Sequence, residues 1–290
     1  MSLAIRAPLA ALAALMIAAG IVDGQHTSHD HDSDPGATAF RDRVREGTTR
    51  FADRNAAVRA GYRVVGGDFP AMGRHWVHPG IILRGEVDPR SPAILSYAEI
   101  GGSQVLVGVA FAVSLAPGEQ PPLVAGKRRA WHEHNGSVAE ESIVREHSHS
   151  ISGALTRLAI LHVWSGIENP DGVFATDNWA LPFARAGLAA PVPVAPGSAR
   201  AISLLNGGAD YYAMLIGMDR PTDGEVERLL ESARGQVRSI IGAGEHVTSL
   251  SPSQMGALDG VWVEVVNALE RVVGEAALPL RVARARDEER

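Results

Sequence analysis

Residues 93–115 read AILSYAEIGGSQVLVGVAFAVSL, two apolar, β-favouring runs parted by Gly101, Gly102 and Ser103. Paired runs around a short glycine-bearing gap predict a β-hairpin. Working outward, residues 155–166 (LTRLAILHVWSG) form a third apolar run, suited to a strand or a buried helical turn. Upstream, Phe40, Val44, Phe51 and Val58 share one face of a helix expected over residues 37–60 and stopped by Gly61. Residues 64–92 are rich in Gly and Pro, which predicts ordered loops with short strands. Ser137 followed by Glu140 is a capping box, so a short helix is expected from Val138.

The character changes past the proline-rich stretch 191–197 (PVPVAPG). Helices are predicted over residues 199–205, 223–241 and 254–273. Val226, Leu229, Leu230 and Ala233 align on one of them, and Val261, Val265, Ala268 and Leu269 on the next. Thr222 or Asp223 can cap the first of that pair, and Ser251 or Ser253 the second. Residues 281–290 (RVARARDEER) look like a solvated charge run. The expected fold class is α+β: a β-rich, histidine-bearing N-terminal domain over residues 37–188, then a helical C-terminal region over residues 198–290.

Residues 1–24 place Arg6 before an apolar run that ends in small residues, with Val22 and Gly24 at cleavage spacing. That order predicts a signal peptide and an exported protein, periplasmic or extracellular. Residues 25–36 form a His/Asp-rich linker, with His26, His29 and His31 among Asp30, Asp32 and Asp34, disordered on composition. No later run is apolar enough to span a bilayer, so no membrane span is expected in the mature chain.

Composition narrows the chemistry. Lys and Arg number 27 against 33 Asp and Glu, a net charge of −6, so nucleic acid is not an expected partner. Cysteine is absent, which removes disulfides, thiolate metal sites and cysteine nucleophiles. Eleven histidines remain, seven of them between His75 and His162. Imidazole is the commonest ligand for borderline ions such as zinc and copper. In residues 131–134 (WHEH), His132 and His134 share one face if the segment is extended. His75 and His162, each close to a tryptophan, are the candidates to complete a site, and Trp76, Trp131 and Trp164 could dry it. Glu140 or Glu141 could supply an oxygen ligand or a base. Each histidine also has a plain structural reading. His78 precedes Pro79 in a turn, His147 and His149 end the expected short helix, and His246 sits in a loop. No Gly-x-Ser-x-Gly, P-loop or His-Glu-x-x-His motif is present.

Several stretches together resemble a group of exported bacterial proteins of uncharacterised function. They are residues 72–79 (MGRHWVHP), 88–97 (DPRSPAILSY), 107–111 (VGVAF), Trp131-His132, 161–164 (LHVW) and 168–175 (ENPDGVFA). The group carries Met-Gly-x-His-aromatic-x-Asn-Pro, an aromatic–His pair, Leu-His-x-Trp and Asn-Pro-x-Gly-x-Phe-Ala. The resemblance spans roughly residues 69–178 and implies an exported setting with His75, His132 and His162 as the matching histidines. This chain departs at His78, where the group has Asn, and His134 is an addition.

The leading expectation is an exported protein that binds a divalent ion, zinc or copper, through His75, His132, His134 and His162. One alternative is a metal-dependent enzyme with three histidines, an open coordination position and a Glu base. The other is a non-metal interaction protein whose helical half docks a protein partner.

Overall fold

A computed structural model describes residues 34–116, 118–126, 130–134, 157–217, 224–242 and 249–288, the side chains of 133, 134, 157 and 288 excepted. The linker histidines, the capping box at Ser137, Glu140, Glu141, His147, His149, His246 and the caps at 222–223 lie outside these residues. The class is α+β, with a sheet in the N-terminal half and helices in the C-terminal part. Two compact units divide the chain. The first holds residues up to Gly67, Met72–Ala98 and Gln104–Asn178; the second holds Asp68–Ala71, Glu99–Ser103 and Trp179–Arg290. Among the described residues no helix is long and apolar enough to cross a membrane.

The expected hairpin is there, as β3 (Ile94–Ile100) and β4 (Ser103–Leu115). Gly101 and Gly102 take φ of 58° and 75°, the left-handed pair that a tight two-residue hairpin loop requires. With β1 (Arg63–Phe69), β2 (Gly73–Val77), β5 (His132–His134) and β6 (Arg157–Val163), they build one six-stranded sheet in the order β1-β2-β3-β4-β6-β5. The apolar run at 155–166 therefore contributes a strand. Alternation in β4 sorts its side chains by size. Val107, Val109, Phe111 and Val113 fall on one face, and Gly108, Ala110, Ala112 and Ser114 on the other.

The helical layer of the first unit starts at α1 (Pro35–Thr48), where Asp34 accepts from the amides of Gly36 and Ala37 and Pro35 occupies the first turn. Phe40 of α1 packs its ring 5.8 Å from Phe111 and 6.1 Å from Phe174. Such buried aromatics contribute about 1.5–3 kcal/mol each. The single helix expected over 37–60 is interrupted. A 3₁₀ turn at Thr49–Ala52 ends it, and Asp53 caps a fresh start at α2 (Arg54–Arg59) by accepting from Asn55. The restart changes the phase, so Phe40, Val44 and Phe51 are buried while Val58 is exposed. A further short helix, α3 (Pro79–Arg84), is capped by His78, whose Nδ1 accepts from the Ile81 amide at 3.3 Å.

Gly166 follows β6 at a point of close backbone approach: its amide donates to the Val107 carbonyl at 3.0 Å. A Cβ there would land on the carbonyl oxygen of Leu106 and within 3.1 Å of the Val107 Cα. Neither obstacle is a flexible side-chain end. Gly166→Ala is expected to lower stability by more than about 2 kcal/mol, measured by urea unfolding. A change below about 0.5 kcal/mol would show that the β4–Gly166 approach is not as tight as described.

In the second unit, α4 (Leu181–Arg185) leads to α5 (Pro196–Ser203), α6 (Gly208–Leu215), α7 (Gly224–Ile241), α8 (Pro252–Val273) and α9 (Leu278–Glu288). Of the two candidate caps for α8, Ser251 is the one used, in a reciprocal capping box with Gln254. Val226, Leu230, Ala233 and Val237 are buried on α7; Leu258, Val261, Trp262, Val265, Val266 and Leu269 are buried on α8. Three features depart from expectation, the first being α4, which forms where no helix is expected. Helix α6, which buries Tyr211 and Tyr212, is not among the helices expected from sequence. The final charge run is not a solvated tail: through Asp287 it forms helix α9 and a buried ion pair with Arg200 at 2.7 Å.

Candidate metal centre

Register decides which histidines can meet. His75 on β2 lies opposite Ser96 of β3, and His162 on β6 lies opposite Ala110 of β4. Strand β5 pairs with the other edge of β6, with His132 opposite Ile160 and His134 opposite Leu158. His132 and His162 are therefore diagonal neighbours on one face, within reach for ring contact. Their ring centroids are 5.2 Å apart, with 25° between planes. His134 pairs two residues farther along β6 from His162, so it is by register the more distant member of the His-x-His pair.

His75 comes from farther away in the sheet. Strands β2 and β6 are separated by β3 and β4, three strand spacings, or about 14 Å in a flat sheet. The rings of His75 and His162 are nevertheless 6.2 Å apart. This needs a strongly coiled sheet with both rings on the same face. It also needs small residues beneath them, and the cross-strand partners of the two histidines are Ser96 and Ala110. These two small positions are absent from the sequence-derived site. The alternation of Gly108, Ala110 and Ala112 was the signal that marks that face as the one left open for other side chains.

Both central histidines are buried, His75 at 2% and His162 at 4% exposure; His132 is half-buried. Burial pushes the His75 imidazole down to about 4, because charge is disfavoured away from water. At neutral pH it is the uncharged base, the form that can ligate a metal.

The tryptophans do not all serve as expected. Adjacent residues on a strand point to opposite faces. Trp76 accordingly turns away from His75 and sits 6.2 Å from Tyr97, with the Arg54 guanidinium 5.7 Å over its ring. Trp131, next to His132, donates its indole N–H to the Pro122 carbonyl. Only Trp164, two residues after His162, shares the face: its ring lies 6.3 Å from His162, nearly parallel to it, and its Nε1 donates to the Ala175 carbonyl. The Cβ of any residue replacing Gly108 would touch that indole at 3.1 Å.

His78 is a helix cap. Glu99 is exposed, and Asp171 and Asp177 are half-buried in the loop after β6. Two imidazoles sharing a tetrahedral zinc-like ion at about 2.0–2.1 Å place their ring centroids about 5 Å apart. The His132–His162 separation meets this; the His75–His162 separation is wider. Among the described residues no group of three or more His, Cys, Asp or Glu side chains is arranged to hold an ion as it stands. Compared with protein families, curated proteins and solved structures, the chain matches none.

Proposed function

We propose that this chain binds one divalent transition-metal ion, zinc or copper, through His75, His132 and His162. The observation that carries the reading is the meeting of three imidazoles from β2, β5 and β6 on one sheet face, with ring centroids 5.2 and 6.2 Å apart. An all-nitrogen donor set suits zinc or copper(II) better than calcium or magnesium, which take oxygen ligands. The depressed basicity of His75 keeps it ready to ligate, and Trp164 screens one side of the cluster from water. Ion binding draws His75 inward by about 1 Å to reach the separation of shared ligation. The order of charge, apolar run and small residues over residues 1–24 supports an exported setting for this site.

Untagged protein dialysed against zinc or copper(II) is expected to retain one ion per chain by elemental analysis. His75→Ala, His132→Ala and His162→Ala should each weaken binding by more than the roughly 10–100-fold typical of losing an outer-shell partner. His78→Ala is the control: it should leave binding unchanged and cost about 1 kcal/mol of stability as a lost helix cap. Stoichiometry that stays at one ion in His75→Ala and His162→Ala would sink the proposal.

A further inference from the structure

We infer that the outer side of α7 and α8 pairs with the same surface of a second copy of this chain, around a two-fold axis at Ala268. The two helices enclose a groove of about 330 Å³, lined on α7 by Leu229 and Gln236 and on α8 by Glu264, Ala268 and Arg271. Leu229 and Ala268 belong to the apolar stripes of their helices, yet both are left only partly buried. Each stripe is one residue wider than the unit itself covers.

The charges on α8 select the occupant. Glu264 and Arg271 are both exposed, and among the described residues neither has an ion pair. They stand seven residues apart, two helical turns or about 10.5 Å, with Asn267 and Ala268 midway. Asn267 is already engaged, its Oδ1 accepting from Arg284 at 2.6 Å, so Ala268 marks the crossing point. Two α8 helices laid antiparallel about that point bring Glu264 of each copy against Arg271 of the other. A two-fold interface must be complementary to itself, and this charge order is. The small Ala268 side chain lets the two helices approach at the axis.

Helices α7 and α8 have 18 and 22 residues, about 27 and 33 Å. Centred on Ala268, the two α8 helices overlap over residues 263–273, about 16 Å, so the association is a weak one below the standard interface size. The polar rim makes the association reversible and concentration-dependent.

Sedimentation of the full chain from low to high micromolar concentration is expected to show a monomer–dimer equilibrium. Glu264→Arg sets arginine against arginine on both sides of the axis and should weaken association by about tenfold or more. The double variant Glu264→Arg with Arg271→Glu restores both pairs with reversed signs and should restore the dimer. Both positions are exposed, so circular dichroism should be unchanged. A chain monomeric throughout the range, association unaltered by Glu264→Arg, or a double variant no tighter than the single one would each overturn the proposal.

Discussion

Asp287→Ala is expected to destabilise the second unit by about 3–5 kcal/mol, as removal of one partner from a buried ion pair does. The Arg200 and Asp287 side chains are only 10% and 11% exposed, and Nε of the guanidinium donates to the carboxylate at 2.7 Å. The same guanidinium lies 4.1 Å over the ring of Trp179 and 5.7 Å from that of Trp262. Burial, the largest influence, acts to strip its proton, but the charge and hydrogen bond of Asp287 together with the neighbouring Tyr212 and Tyr211 outweigh it and hold the arginine above its usual range. Without Asp287 the cation stays buried against two indoles with no counter-charge. The backbone around it is committed as well, since the Arg200 carbonyl accepts from Ser203 Oγ and Tyr212 Oη. The paired change Arg200→Met with Asp287→Leu removes both charges and should be close to neutral, because desolvation of the pair is lost along with its attraction. Urea unfolding at pH 7 measures both. A loss below about 0.5 kcal/mol for Asp287→Ala would mean that α9 is not held through this pair.

That ion pair also marks what the sequence hides. The run at 281–290 has the composition of a solvated tail, and nothing local distinguishes Asp287 from its exposed neighbours. Its role depends on Arg200, 87 residues away. Features with a local cause are legible: the hairpin at Gly101-Gly102, the cap at Ser251 and the apolar stripes of α7 and α8. The phase break at Asp53 hides in plain sight, because an Asp-Arg-Asn cap reads as helix interior until a 3₁₀ turn precedes it. For the candidate site, histidine count and the His-x-His spacing indicate residues but not faces. Facing depends on register, and register separates Trp164 from Trp76 and Trp131. It also shows why Ser96 and Ala110 must be small.

Metal-free protein is expected to lose about 3 kcal/mol of stability between pH 6.5 and pH 4 through His75 alone. The sign follows from the two states. In the unfolded chain the imidazole takes up its proton near 6.5; in the folded chain burial delays this to about 4. Above 6.5 both states are neutral at this position, and the group contributes no pH dependence. Between the two values the unfolded state binds more protons, so stability falls as pH falls, by up to about 1.4 kcal/mol per unit. Below 4 both states are protonated and the contribution levels off. Carboxylates titrate in the lower part of this window, so the quantity to measure is the difference between the parent and His75→Gln, by urea unfolding in chelator. That difference should be flat above pH 6.5 and shrink in favour of the variant towards pH 4. Added zinc should steepen the parent profile at its upper end, since protons then compete with the ion for the imidazoles, and leave the His75→Gln profile nearly unchanged. Parallel profiles for parent and variant in chelator would show that His75 takes its proton as readily folded as unfolded, and its burial on the small-residue face of the sheet would then be wrong.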